Sequence, residues 1–444
     1  MINIMMFALL LAITSLMLTK RYQGYPLLFI PLYYLLIDYA NYSLGLSDDL
    51  LGLVAKSLNE LILVGAAFLV LNRIAIRRTA PKGATIFIVV SIAFLILGAI
   101  KNGVTIAILD WRTSIAPIVI AWLAAEAGIL NLSTLNKIYK FTSILITINS
   151  IYAIQQYITF DGNIESHWRY AFLLDEKLKA NSDYETRFIY YQLLRDNELR
   201  SSGMFVSALQ YSYAAAFASF YFLVNLVSSL RKKDILTAFV HFIFASCCIG
   251  GVLVSQVRAS LIILAISLII FFACYSYSTR NSFNYRRSIL ILTGSILSYA
   301  LVLFMFGSKF DSSVQGRVVQ YFFGLDNFTP LGYWPGSFRG QFDSYYIYGL
   351  LTFGLAMPIW IACIIKLYAS GFKKANSLDL VGSDRTCLTI AFCVIPSILL
   401  LACFQHVAGS LFYQLAWFSL FVQAKTSAKK AGQNHLRTQR IYTP

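Results

Sequence analysis

The sequence predicts an all-α polytopic membrane protein. Of its 444 residues, 58% are hydrophobic and only 13% are charged, whereas about 25% of the residues of a soluble protein are charged. The apolar residues gather in runs of about 20, the length that an α-helix needs to cross a bilayer. No polar stretch is long enough to form a soluble domain, so we expect one membrane domain over residues 1–444.

The apolar runs, each bounded by charged or turn residues, predict the spans in chain order. Their approximate limits are 2–19, 26–42, 58–73, 84–101, 113–131, 141–160, 208–230, 235–255, 260–278, 288–307, 346–369, 387–404 and 408–423. The second run is short, and the last two are separated by three residues. The prediction is therefore twelve or thirteen transmembrane helices.

The basic residues predict the orientation, because Lys and Arg are retained on the cytoplasmic side of a membrane. About two thirds of the 36 basic residues lie in one set of alternate loops and in the tail 424–444, which we expect to be cytoplasmic. The opposite loops include two long ones, 161–207 and 308–345, which are predicted to be exported. The net charge of +16 is thus a topology signal and gives no reason to expect a nucleic-acid partner.

The cysteines bear on cofactors and on redox state. All seven lie in or beside apolar runs, and none lies in the long polar loops. A disulfide framework or a zinc site is therefore not expected. We also find no phosphate-binding glycine loop and no Asp-x-Asp pair for a nucleotide-sugar metal.

The two long loops differ in character. Periodicity in the first predicts two short helices, 165–179 and 185–197, on the membrane surface. The second is rich in aromatic residues and glycine and carries Arg317 and Arg339. Aromatic faces beside polar groups suit sugar rings, but aromatic residues also gather at any membrane interface.

Three segments stand out as candidate functional sites. Arg200 begins the segment Arg-Ser-Ser-Gly-Met-Phe, where the first long loop returns to the membrane, and its alternative role is a pairing with Glu198. Arg258 lies in the minimal turn Gln-Val-Arg-Ala-Ser at 256–260, and the alternative is a snorkelling side chain. Asp343 closes the second long loop, and the alternative is a cap on the helix that follows.

Together, in their order and sidedness, these segments resemble the O-antigen ligase and polymerase superfamily. That superfamily comprises Wzy-type polysaccharide polymerases and the ligases that attach O-antigen to lipopolysaccharide. The resemblance in architecture covers nearly the whole chain. The motif match is confined to 200–206, 255–260 and 341–354.

The resemblance implies a GT-C-like fold in the bacterial inner membrane, with a periplasmic active site. It implies a donor glycan linked to undecaprenyl diphosphate, inverting glycosyl transfer, and no nucleotide sugar, cofactor or required metal. Membrane lipid, a chain-length regulator and a flippase are the implied partners.

Position by position, the resemblance also assigns roles to single residues. Arg200 and Arg258 match the arginines that hold the donor diphosphate, and Asp343 stands where ligases carry histidine followed by asparagine. That departure counts against a ligase. Asp343 is the predicted base that activates the acceptor hydroxyl, an assignment supported by its position alone. Arg317, Arg339 and Tyr345 are the expected substrate contacts.

A transporter or flippase for lipid-linked glycans is the main competing interpretation. Transporters place ionisable groups at mid-membrane, and the candidates are Asp38, Glu60, Glu126 and His241. The three acidic residues lie toward span ends, and two long exported loops favour surface chemistry. A membrane subunit without activity is a third interpretation, opposed by the three polar segments.

Overall fold

The computed structural model describes residues 24–43, 65, 82–180, 187–195, 197–276, 283–306, 312–376, 382–406 and 408–423. The predicted span 2–19, nearly all of 58–73 with Glu60, and the tail 424–444 lie outside these ranges.

Helices dominate the described residues. They are α1 Phe29–Ser43, α2 Lys82–Asn102, α3 Val104–Ser114, α4 Ala116–Glu126, α5 Leu132–Ile158, α6 Trp168–Ala180, α7 Arg187–Leu193, α8 Ala208–Arg231, α9 Ile235–Val254, α10 Arg258–Ile270, α11 Tyr285–Phe306, α12 Ser312–Asp326, α13 Tyr345–Phe353, α14 Ala356–Ala375, α15 Ser383–Phe404 and α16 Leu411–Gln423. Two short strands, β1 Leu194–Arg195 and β2 Glu198–Leu199, pair antiparallel.

Several of these helices are suited to a bilayer. Among the described residues, α8, α9, α14 and α15 are long and apolar enough to cross a membrane, and the pair α3–α4, bent by 55°, makes a fifth candidate. Helices α10 and α16 are shorter and also apolar. These helices confirm the prediction of an all-α, membrane-embedded protein.

The chain forms two compact units. The first unit contains residues 1–65 and 136–266, and the second contains 66–135 and 267–444. Arg200 and Arg258 belong to the first unit, whereas Arg317, Arg339, Asp343 and Tyr345 belong to the second.

Local sequence sets the helix boundaries around the first arginine segment. The Ser207 side chain accepts a hydrogen bond from the Gln210 N–H and caps α8. The Asp234 side chain accepts one from the Thr237 N–H and caps α9, after a turn in which Lys233 adopts φ +59°. This short turn makes α8 and α9 antiparallel neighbours.

The first long loop, 161–207, contains both predicted helices, but the second is shorter than expected. Helix α7 ends at Leu193, and the chain then turns at Asn197, with φ +64°, into the β1–β2 hairpin. An apolar core joins the helices to the hairpin: Ile164, Leu173, Ile189, Leu193 and Leu199. The loop therefore packs on itself.

Three features of the second unit differ from the sequence prediction. Helix α12 lies inside the second long loop, where no element was expected. The predicted span 346–369 is broken into α13 and α14 at Gly354, which has φ +56°. The predicted span 113–131 is shorter as α4, which follows α3 after the bend at Ile115.

Candidate functional site

The segment 200–206 is held in one conformation by side chains of α5. The Asn149 side chain accepts from the Met204 N–H at 2.8 Å and donates to the Ser202 carbonyl at 3.1 Å. The Gln156 side chain accepts from the Gly203 N–H at 3.0 Å and donates to the Gly203 carbonyl at 3.2 Å. Two amide side chains, two helical turns apart, thus bind the main chain of the arginine segment.

Arg200 leads this segment and is half-buried. Its Nε is buried and has no hydrogen-bond acceptor among the described residues. Burial, and then the neighbouring Arg195 guanidinium, lower the pKa of Arg200. The guanidinium is thus partly stripped of water and has unused donor capacity, as an anion site requires.

The alternative pairing of Arg200 with Glu198 is not what the structure has. The Glu198 Oε2 accepts from the Tyr157 hydroxyl at 2.6 Å and from the Gln256 Nε2 at 2.9 Å. The carboxylate therefore holds the turn that precedes α10.

Arg258 is the first residue of α10, and its side chain is exposed. The end of α9 is tied to the Arg200 segment, and the turn before Arg258 is tied to strand β1, by one hydrogen bond each. The Ser201 N–H donates to the Val254 carbonyl at 3.1 Å, and the Arg195 Nη1 donates to the Gln256 carbonyl at 3.0 Å. The two arginine segments, 58 residues apart in sequence, therefore lie side by side in the first unit.

In the second unit, the structure brings Asp343 and Arg317 together. The Asp343 Oδ2 lies 3.7 Å from the Arg317 Nε, with the aspartate side chain 51% exposed and the arginine 21% exposed. The Asp343 N–H donates to the Gln320 Oε1 at 2.9 Å. Helix α12 thus supplies both neighbours of the candidate base.

The interpretation of Asp343 as a helix cap is wrong. Helix α13 is capped by Ser344, whose hydroxyl accepts from the Ile347 N–H. Asp343 precedes the cap and points its carboxylate at α12, so capping does not explain an acidic residue here.

Arg339 and Tyr345 lie in different environments. Arg339 is exposed in the turn before α13. Tyr345 is 6% exposed, and its hydroxyl lies 2.9 Å from the Tyr413 hydroxyl. A contact between Tyr345 and a glycan would require the ring to be uncovered, so its present packing favours a role in positioning α13.

The second unit contains a buried carboxylate that no pattern in the sequence indicates. Asp110 of α3 is 1% exposed. Its Oδ2 accepts from the Gly336 N–H at 2.7 Å and its Oδ1 accepts from the Tyr348 hydroxyl at 2.8 Å. In the sequence, Asp110 falls in a short interval between two apolar runs and looks like an ordinary loop residue.

Asn102 of α2 completes this attachment. Its Nδ2 donates to the Pro335 carbonyl at 3.0 Å, and its Oδ1 accepts from the Ser337 hydroxyl at 3.1 Å. Asn102 and Asp110 together fasten the aromatic turn 333–337, and hence the stretch of chain that carries Arg339, to α2 and α3.

Two histidines outside the spans are held neutral. Burial lowers the pKa of His167, and that of His406, to about 4. The Nε2 of each is buried without a hydrogen-bond partner among the described residues.

Within the described ranges, no three His, Cys, Asp or Glu side chains are grouped so that they could share a metal ion. Comparisons with family models, with curated proteins and with solved structures give no match for this chain. The residues of the two units therefore carry the functional assignment.

Proposed function

We propose that the protein is a Wzy-type polysaccharide polymerase of the bacterial inner membrane. It joins repeat units linked to undecaprenyl diphosphate on the periplasmic side, and it crosses the membrane twelve or thirteen times in a GT-C-like arrangement. Its lipopolysaccharide or surface-glycan product would depend on a flippase for supply and on a chain-length regulator for control.

The observation that supports this proposal most is the side-by-side packing of the Arg200 and Arg258 segments. Arg200 has a buried, unused Nε donor, and Arg258 is exposed at a helix start. Guanidinium groups bind phosphate oxygens bidentately and stay protonated at neutral pH. The positive end of the α10 dipole adds to the attraction for an anion.

The chemistry follows from the charge on the leaving group. The acceptor hydroxyl oxygen attacks the anomeric carbon of the donor and forms the new C–O bond. The bond to the diphosphate oxygen breaks, and the lipid diphosphate leaves with the electron pair. Fixed guanidinium groups stabilise the negative charge that develops on it.

The resemblance implies that Asp343 takes the proton of the acceptor hydroxyl. A solvent-exposed carboxylate is a weak base at neutral pH, so this role requires late proton removal or closure of the site around it. The Arg317 guanidinium at 3.7 Å orients the carboxylate. Asp343→Asn should still bind donor while forming no glycosidic bond, and near-normal polymer from that variant would reject the base role.

Asp110 favours a second candidate, a transporter of lipid-linked glycans. A buried carboxylate in a bent, apolar helix pair is typical of an ion-coupled site. Both of its oxygens, however, already accept hydrogen bonds from Gly336 and Tyr348. Its contacts are thus those of a structural anchor, and the polymerase remains the better supported function.

The experiment is complementation of a strain that lacks the chromosomal gene. Wild-type protein should restore the long-glycan ladder, and Arg258→Ala should give only single repeat units on lipid at normal protein level. Arg258→Lys should restore little of the long glycan, because a lysine ammonium does not bind phosphate bidentately as the planar guanidinium does. Arg286→Gln, at the exposed start of α11, is the matched control and should behave as wild type.

Three other glycan patterns would contradict the proposal. A full ladder with Arg258→Ala would reduce that residue to a surface arginine. Long glycan that is not attached to lipopolysaccharide in the deletion strain would indicate a ligase. Loss of all exported glycan would indicate a flippase.

A further inference from the structure

Arg169 of α6 is a buried arginine whose contacts are unusual. Its side chain is 1% exposed, although it lies in the first long loop rather than in a span. Burying a charged group is costly unless hydrogen bonds satisfy it. Among the described residues, its guanidinium donates hydrogen bonds to two main-chain carbonyl oxygens.

The two carbonyls lie at opposite ends of the candidate arginine segment. The Arg169 Nη1 donates to the Arg200 carbonyl at 2.6 Å, and the Arg169 Nε donates to the Val206 carbonyl at 2.8 Å. One guanidinium therefore links the two ends of the segment 200–206. Asn149 and Gln156 bind the middle of the same segment from α5.

The position also has an electrostatic cost. Burial, followed by the like charge of Arg200, lowers the pKa of Arg169 to about 9. Arg169 is still protonated at neutral pH, so a second positive charge is kept close to Arg200.

We infer that Arg169 is a positioning residue, which fixes the 200–206 segment so that the Arg200 guanidinium faces an anionic ligand. The inference rests on the proposed function for the nature of that ligand, the diphosphate of a lipid-linked glycan. The two contacts use the planar guanidinium, which presents Nε and Nη1 as donors in a fixed geometry that a lysine ammonium does not reproduce.

Arg169 should then act through Arg200 and not independently of it. Loss of the charge-assisted hydrogen bonds at an anion site weakens binding of the anion by about tenfold or more. Arg169→Gln and Arg200→Ala should each cause such a loss. The double variant should be no weaker than Arg200→Ala, because a residue that acts through another adds nothing once the other is gone.

The experiment uses the full-length protein in lipid nanodiscs, with undecaprenyl diphosphate as the probe, and has two readouts. Equilibrium binding is measured for wild type, Arg169→Gln, Arg200→Ala and the double variant. In a cysteine-free background carrying Met204→Cys, the rate of maleimide labelling reports how firmly the segment is held, without any ligand. Arg169→Lys keeps the charge and serves as the second variant if Arg169→Gln does not fold.

The inference predicts labelling about tenfold faster in Arg169→Gln and Arg169→Lys, together with non-additive binding losses. Unchanged labelling would overturn it, because the segment would then be held without Arg169. Additive losses would also overturn it, since Arg169 would act apart from Arg200. If wild-type protein binds no lipid diphosphate, the proposed function fails. The labelling rate alone then decides whether Arg169 holds the 200–206 segment in place.

Discussion

Gly203 is the residue on which the first arginine segment turns. Its φ is +63°, and an added Cβ would overlap with the Asn149 side chain. Gly162, in the same long loop, has φ +87° but no atom within 4 Å of an added Cβ. The two glycines therefore share the left-handed backbone, while crowding affects Gly203 alone.

This difference allows a controlled prediction. In both Gly162→Ala and Gly203→Ala, the alanine must adopt a left-handed backbone conformation, which lowers the free energy of unfolding by about 1–2 kcal/mol. Gly203→Ala must also displace Asn149, so it should lose more stability and most of the proposed polymerase activity. Apparent melting temperature and glycan ladders measure the two effects, and equal behaviour of the two variants would contradict the described packing.

The Tyr348 hydroxyl is the donor to the buried Asp110 carboxylate. Tyr348→Phe leaves the Asp110 Oδ1 without that donor and should lower the free energy of unfolding by about 1–3 kcal/mol. Tyr211→Phe is the control, because it removes a buried hydroxyl whose acceptor is the neutral Ser150 hydroxyl at 2.9 Å. Thermal unfolding should show the larger loss for Tyr348→Phe, and a smaller loss than the control would argue against the Asp110 contact.

At the residue scale, sequence reasoning could find a charged residue placed oddly among apolar ones. Arg200 and Arg258 qualified, and the structure packs their segments together. Arg169 and Asp110 did not, because each looks like a normal loop residue. Their partners are main-chain groups or hydroxyls 31 to 238 positions away, and no local pattern reports such contacts.

Helix α12 is an element that the sequence patterns did not predict. It combines an exposed apolar face with the polar pair of Arg317 and Gln320, and it is too short to cross a bilayer. Val319 is 66% exposed and Phe322 is 50% exposed. A helix with such a face is expected to lie in the membrane interface.

Spin labels test this expectation. In a cysteine-free background, a nitroxide at Phe322→Cys should collide readily with oxygen and poorly with a water-soluble nickel complex. A label at Gln341→Cys, exposed in the turn before α13, should show the opposite preference. Nickel accessibility at Phe322 equal to that at Gln341 would place this face of α12 in water.

Most helices coincide with predicted apolar runs, because hydropathy over about 20 residues reports burial in lipid or protein. The breaks at Ile115 and Gly354 were not predicted, since both adjoining helices are apolar. At Gly354 an added Cβ would overlap with the Pro330 carbonyl. The break therefore serves the docking of the second long loop, which is a tertiary contact and not a local preference.

At the scale of the whole molecule, the charge pattern makes the orientation testable. In a cysteine-free background, Asn327→Cys should react with an impermeant maleimide in cells with a permeabilised outer membrane. Lys232→Cys, after α8, should react only once the inner membrane is broken. The reverse pattern would invert the orientation and exclude a periplasmic site at either long loop.

The central claim is that the arginine segments bind a lipid diphosphate as it leaves a sugar. The most direct test is incubation of purified protein with a synthetic repeat unit on undecaprenyl diphosphate, followed by mass spectrometry. Wild-type protein should release one lipid diphosphate for every glycosidic bond formed, and Arg258→Ala should release none above background. Intact substrate after incubation with folded wild-type protein, or equal turnover by Arg258→Ala, would contradict the account.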